Sequence, residues 1–304
     1  MSLSVRDAAR ETPADPALVT PDRSWSWHDL AERVVVLAGR FARLSEPPAP
    51  LAFTGAADEA SIVRLVAAIE AGRAALPLAP GLAAGSRRQL VDALGAVEVD
   101  APGTGAPGAA PGGPGPPDVP QDDGRPLAIV RTSGSSGAPK AVELSRAAFA
   151  ASAEASAKRL GWQPDDRWLL VLPLAHVGGL SVLTRCLLAR KPVALAPADP
   201  ARADLFGAAE RVGATLVSLV PTMLRRALDA RHGEGGVPSR LRVALLGGAR
   251  APWPLLREAW SRGVPVVPSY GLTEACSQVA TAIPGEPPDP AGAVGPPMAG
   301  TELR

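Results

Sequence analysis

The chain has 304 residues, with 31 Lys and Arg against 30 Asp and Glu, a formal charge of +1. That balance speaks against a nucleic-acid binder held by phosphate contacts, which carries a marked basic excess. With 46% hydrophobic and 20% charged residues, the chain is globular in composition and long enough for one large domain or two smaller ones.

Two cysteines (Cys186, Cys276) and three histidines (His28, His176, His232) show no metal-ligand spacing, which argues against structural zinc and fits a reducing compartment. The N-terminal MSLSVRDAARETPADP has no apolar signal core, and the longest uncharged apolar stretch, 168–184, is broken by Pro173 and Gly178-Gly179. No secretion signal or membrane span is expected, and a cytoplasmic location is.

In chain order, helical spacing of Leu30, Val34, Leu37 and Phe41 predicts a helix over 28–44. A strand at 50–53, a helix at 58–71, a strand at 74–78, a helix at 87–94 and a strand at 97–99 come next. Residues 101–120 are Gly or Pro at 13 of 20 positions, too poor in apolar side chains to bury a core. The expected organisation is a first α/β subdomain at 1–100, a linker or loop at 101–126 and a second α/β subdomain at 127–304.

Apolar runs at 127–130, 168–172, 193–195, 216–220, 243–246 and 264–267 read as strands buried on both faces. Helices are expected between them at 146–160, 180–190, 201–212, 221–230 and 254–262. Ser145 suits an N-cap, Gly161 a helix stop and Pro221 a first helical turn. This alternation predicts an α/β fold with mainly parallel sheets flanked by helices. Ligands of such sheets sit at loops beyond the carboxyl ends of the strands.

The loop after 127–130 joins Thr132, Ser133, Gly134, Ser135, Ser136 and Gly137 to Lys140, one of only three lysines. Glycines admit backbone N–H groups to an anion, hydroxyls donate, and a lysine adds charge, as a polyphosphate requires. It is not a Walker A loop, and a plain Ser/Gly connector is the alternative. The segment 268–278 places Ser269, Tyr270, Gly271, Thr273 and Glu274 after another strand. Tyr270 is suited to stack on a base, Thr273 to bind phosphate and Glu274 to hold Mg²⁺; a turn entering a helix is the alternative. His176 precedes Gly178-Gly179, and Gly247, Gly248 and Ala249 permit close approach of a flat ligand.

TSGSSGAPKAV (132–142) resembles the phosphate-loop signature of the adenylate-forming acyl-CoA synthetases, usually TSGSTGxPKGV, with Ser136 and Ala141 as departures. SYGLTEA is similar to that family's YGxTE motif and LLGGA to its adenine-contacting strand end. Within the family, PLAHVGGLSVLTR, SLVPTML, LLGGARAP and SYGLTEACSQV resemble the o-succinylbenzoate–CoA ligases of menaquinone biosynthesis.

The resemblance implies the large N-terminal domain of an acyl-CoA synthetase. The reaction it implies has two steps, adenylation of a carboxylic acid by ATP and then thioester formation with coenzyme A. Thr132 to Gly137 and Lys140 would hold the β- and γ-phosphates, and Gly247, Gly248 and Ala249 would line the adenine and acyl pocket. Tyr270 would stack on adenine, Thr273 would contact the α-phosphate, Glu274 would bind Mg²⁺, and His176 would shape the acyl pocket. The expected partners are a small carboxylic acid such as o-succinylbenzoate, ATP and coenzyme A; a homo-oligomer is left open.

The family's TGD aspartate, hinge, C-terminal lid and catalytic lysine are expected after residue 304, and no lysine occurs beyond Lys191. The resemblance therefore implies a fragment truncated before the lid, able to bind nucleotide or acyl-adenylate but catalytically impaired. The alternatives are another aryl- or fatty-acid–CoA ligase, or a non-catalytic nucleotide-binding module. A serine hydrolase is disfavoured because neither G-x-S-x-G nor S-x-x-K occurs. A dinucleotide oxidoreductase is disfavoured because no G-x-G-x-x-G opens an expected helix.

Overall fold

A computed structural model describes residues 2–100, 124–132, 140–195, 204–231 and 236–303. The Gly/Pro-rich residues 101–120, Ser133 to Gly137 and His232 lie outside these residues.

The first strands are β1 (Pro16–Val19) and β2 (Ser24–Ser26), after helix α1 (Val5–Glu11). Helix α2 (Trp27–Phe41) starts at a capping box, in which Ser26 and Asp29 satisfy each other's backbone N–H groups. Then come β3 (Leu51–Thr54), α3 (Glu59–Glu70), β4 (Ala75–Leu78), α4 (Ala84–Ala93), β5 (Val97–Glu98), β6 (Pro126–Thr132) and β7 (Lys140–Ser145). Helix α5 (Arg146–Leu160) is capped by the Ser145 side chain and stopped at Gly161, whose φ is 65°. The remaining elements are β8 (Trp168–Leu170), α6 (Val177–Ala189), β9 (Val193–Leu195), α7 (Leu205–Arg211), β10 (Leu216–Leu219), α8 (Pro221–Asp229), β11 (Val243–Leu246), α9 (Trp253–Ser261), β12 (Val266–Leu272) and β13 (Ser277–Thr281).

These strands form an eight-stranded sheet, β13-β12-β11-β10-β8-β9-β1-β2, and a five-stranded sheet, β5-β3-β4-β6-β7. Pairing is parallel except for the three terminal pairs β1–β2, β6–β7 and β12–β13. Period-two alternation sends Val243 and Leu245 of β11 to one core, and Ala244 and Leu246 to another. The first core lies between the sheets and holds α2, α3, α5 and α6. The second covers the large sheet with α7, α8 and α9, and a third packs α4 on the small sheet. The result is five layers, helix–sheet–helix–sheet–helix.

Sheet membership does not follow the expected division at 101–126. Strands β1 and β2, from the first hundred residues, extend the large sheet through β9, while β6 and β7 complete the small one. The physical reason is that β4 and β6 are parallel. A parallel pair needs a crossover, so the chain between them is a connection within one sheet.

Two other expectations change. The loop after β6 returns as an antiparallel strand, β7, before α5 begins. The strand expected at 264–267 runs on to Leu272, and its turn leads into strand β13 instead of a helix. Gly271 makes that hairpin feasible, because a Cβ there would collide with the Ser277 carbonyl.

Candidate functional site

The carboxyl ends of β6, β10, β11 and β12 open on a cavity of about 500 Å³ between the two sheets. Of the residues expected from sequence, Thr132, His176, Gly247, Gly248, Ser269, Gly271 and Thr273 line it together. His176 stands at the start of α6 with its side chain exposed, and its carbonyl accepts from the Gly179 and Leu180 N–H groups. Gly179 has no room for a side chain against the Pro173 carbonyl, which lets α6 start tightly against the end of the β8 loop. The Ser269 hydroxyl is engaged inside the β12–β13 hairpin, 2.9 Å from Thr281 Oγ1 and 3.3 Å from the Ala280 carbonyl oxygen.

Four expected residues are not in this lining. Lys140 is exposed at the start of β7. Tyr270 is 52% exposed, and Glu274 is exposed on the short 3-10 turn Thr273–Ala275. Ala249 instead lines a neighbouring cavity of about 380 Å³, with Trp253, Pro268 and Asp289 to Val294. The two cavities share Ser269. Ser133, Gly134, Ser135, Ser136 and Gly137 lie outside the described residues.

Sequence reasoning missed the most unusual charge at the site. Arg185 lines the cavity, is 2% exposed, and comes from α6, where Gly179 to Leu188 are all buried in the middle helical layer. Its guanidinium lies 5.2 Å from the centre of the Trp168 ring, and one terminal nitrogen donates to Ser277 Oγ at 3.3 Å. Its Nε has no partner, and no carboxylate pairs with it among the described residues. Burial lowers the guanidinium pKa to about 10, which still leaves it charged at neutral pH. A signal existed in the sequence, since the uncharged apolar run 168–184 ends at this arginine.

Around it, the Trp168 indole N–H donates to Ser218 Oγ at 3.1 Å, and Gln278 Nε2 donates to Thr281 Oγ1 at 2.8 Å. Ser218 and Gln278 also line the cavity. An uncompensated buried charge costs several kcal/mol, so a cavity built around one suits an anionic ligand.

Both cysteines are free and buried. Burial pushes both thiols up, Cys276 to about 11, so neither is a thiolate nucleophile at neutral pH. No group of three or more His, Cys, Asp or Glu residues able to hold a metal occurs among the described residues. No helix among them is long and apolar enough to cross a membrane.

A glycine- and hydroxyl-edged cavity at the carboxyl ends of a parallel sheet, with a cation in its wall, defines a site for an anionic small molecule in an α/β protein. Residues 93–304 match the model of the AMP-binding enzyme family, and the chain belongs to that family.

Among its relatives, the 2-succinylbenzoate–CoA ligase of Bacillus pumilus is 41% identical over 176 residues, 58% of this chain and 35% of the relative. That of Bacillus mycoides is 39% identical over 178 residues, 59% of this chain and 37% of the relative. The aligned segment thus spans about a third of these relatives' length. The o-succinylbenzoate coenzyme A synthetase of Bacillus subtilis, solved with ATP and magnesium ion, superposes with a TM-score of 0.82 at 26% identity. That match covers 97% of this chain and 64% of the solved one. The N-terminal domain of FACL13 from Mycobacterium tuberculosis shares the fold, with a TM-score of 0.82 at 21% identity over 97% of this chain and 81% of the other.

Proposed function

We propose that the chain carries the nucleotide- and acid-binding part of an ATP-dependent acid–CoA ligase whose acid is o-succinylbenzoate. The observation that carries this reading is Arg185, a buried cation without a carboxylate partner in the cavity wall. An acid to be adenylated presents one carboxylate at the mouth, near Thr273. A second carboxylate, which o-succinylbenzoate has and a fatty or simple aryl acid lacks, neutralises Arg185 inside. The relatives named for this acid support the same choice.

In the proposed reaction the mouth carboxylate attacks the α-phosphorus of ATP, forming a new P–O bond as pyrophosphate leaves. The coenzyme A thiol then attacks the acyl carbonyl, and AMP leaves. Thr132 to Gly137 and Lys140 hold the β- and γ-phosphates. The Gly247–Ala249 turn and the Tyr270 ring take the adenine, and Thr273 donates to the α-phosphate. His176 walls the acid at the cavity mouth. Glu274, exposed one residue from Thr273, would hold Mg²⁺, which would supply charge neutralisation at the phosphates. The protein's part is placement and electrostatics. Use of ATP and coenzyme A fits a cytoplasmic location.

Thermal melting with non-hydrolysable acyl-adenylate mimics tests the reading, because a ligand that binds only the folded state raises Tm with concentration. Stabilisation by the o-succinylbenzoyl mimic above benzoyl and long-chain acyl mimics is expected, whereas Lys140→Ala, which acts on the β- and γ-phosphates, is expected to abolish stabilisation by ATP and to spare that by the mimics. Equal response to all three mimics would withdraw the substrate.

A further inference from the structure

The 3-10 turn that carries Thr273 and Glu274 ends in a backbone that side chains rarely adopt. Cys276 has φ 53° and ψ 36°, and Ser277 after it has φ 106°. The second value lies in a region that glycine occupies and other residues avoid. The Cys276 N–H closes the turn by donating to the Thr273 carbonyl at 3.0 Å. On the other side, the Ser277 carbonyl packs against Gly271, so the kink and the start of β13 form one tight unit with the end of β12.

Two helices hold this kink from outside. The Cys276 carbonyl accepts from Ser152 Oγ of α5 at 2.8 Å and from Ser181 Oγ of α6 at 3.2 Å. Ser181 has one proton and a nearer acceptor, the Val177 carbonyl of its own helix at 2.7 Å, so Ser152 is the committed donor. Rotating the rigid Cys276–Ser277 peptide plane changes ψ of Cys276 and φ of Ser277 together, and so relieves the strain at Ser277. The same rotation swings the Cys276 carbonyl away from α5. A hydroxyl bonded to that carbonyl therefore opposes the relaxation, and the strained turn persists because its surroundings hold it.

We propose that Ser152 is a positioning residue for the phosphate end of the nucleotide, pinning the Cys276–Ser277 peptide so that Thr273 and Glu274 stay at the cavity mouth. Thr273 lines the cavity, and β7, which Lys140 opens, runs beside the same 3-10 turn. A turn that relaxes moves the Thr273 hydroxyl and leaves the base-binding glycines of β11 where they are. The proposal rests on the reading of Thr273 as the donor to the α-phosphate. It gives α5, which contributes no residue to the cavity lining, a part in nucleotide binding.

The test is calorimetric titration of the purified chain with AMP and with adenosine, which lacks the phosphate. Ser152→Ala is expected to weaken AMP about tenfold and to leave adenosine within about twofold of the wild type. Ser152→Thr, which keeps the hydroxyl, is expected to restore AMP binding. Ser145→Ala weakens the same helix at its cap without touching Cys276, and is expected to change the affinity for neither ligand. Thr273→Ala is expected to weaken AMP alone. Adding Ser152→Ala to it is expected to cost AMP no more than about twofold further, because the serine acts through the threonine. Thermal melts of each variant confirm the folded state before titration. Equal losses for AMP and adenosine in Ser152→Ala would mean a purely structural role and overturn the proposal. No loss in Ser152→Ala, or a loss that adds in full to that of Thr273→Ala, would overturn it as well. AMP binding left unchanged by Thr273→Ala is a separate outcome that overturns the reading of Thr273 itself, and the proposal with it.

Discussion

Asp166 and Arg185 are both buried beside β8, yet their surroundings are opposite. Asp166, 1% exposed at the amino end of that strand, accepts from the Gln163 N–H at 2.7 Å, Thr215 Oγ1 at 2.8 Å and Arg242 Nε at 2.8 Å. Burial alone would raise its pKa, but the hydrogen bonds from Arg242, Gln163 and Thr215 outweigh it and hold the carboxyl below its usual range. Arg185 has an indole face, one serine oxygen and no counter-charge among the described residues. The first charge ties β8, β10 and β11 together at the end away from the loops. The second is left open at the end where a ligand enters. A saturated buried charge is a structural fastening, and an unsaturated one inside a cavity is what the proposed function assigns to the acid.

The contrast breaks most visibly at Asp166. Asp166→Ala strands the Arg242 guanidinium, and urea unfolding is expected to show a loss of about 3–5 kcal/mol with the selectivity of the remaining folded protein intact. The sign of the pH dependence is set by the same shift: a carboxyl whose folded pKa is depressed contributes stability above about pH 4, lost as pH falls through the folded value. Melting temperature is therefore expected to drop below about pH 4 in the wild type, and that part of the drop is expected to shrink in Asp166→Asn.

Arg185→Met should do the reverse. Affinity for the o-succinylbenzoyl-adenylate mimic is expected to fall about 100-fold, the scale of a charge-assisted contact. Stability is expected to stay the same or rise by about 1 kcal/mol, because a desolvated cation is replaced by an apolar chain. The smallest effect belongs to a site with no part in binding: Ser145→Ala, which removes the α5 cap, is expected to cost about 1 kcal/mol by the same unfolding measurement.

Strongly local features were legible in the sequence. Helix α5 is announced by its Ser145 cap and Gly161 stop, and β9 and β11 span the apolar runs expected of them. Strands β1 and β2 were not legible, because Pro16 and the serines of Ser24–Ser26 break up the apolar pattern there, and β1 is placed by pairing with β9, far along the chain, and β2 by pairing with β1. The β12–β13 hairpin was hidden because the hydroxyls, glycine and carboxylate of SYGLTEA carry the pattern of a ligand loop and not of a strand. Its glycine also serves a close strand approach. That Thr132, His176, Gly247, Gly248, Ser269, Gly271 and Thr273 would come together was legible, because they follow apolar runs that end at one edge of a sheet, and they line one cavity. Arg185 was not, since it sits inside an apolar helix and only its burial without a carboxylate partner marks it.

The central claim is that Arg185 is unpaired because the ligand supplies its counter-charge. The direct measurement is the ratio of Kd values for the diacid and monoacid adenylate mimics, in the wild-type chain and in Arg185→Met. A preference of about 100-fold for the diacid in the wild type, collapsing to near unity in Arg185→Met, is the predicted result. Equal affinities in the wild type, or a preference that survives the substitution, would contradict it.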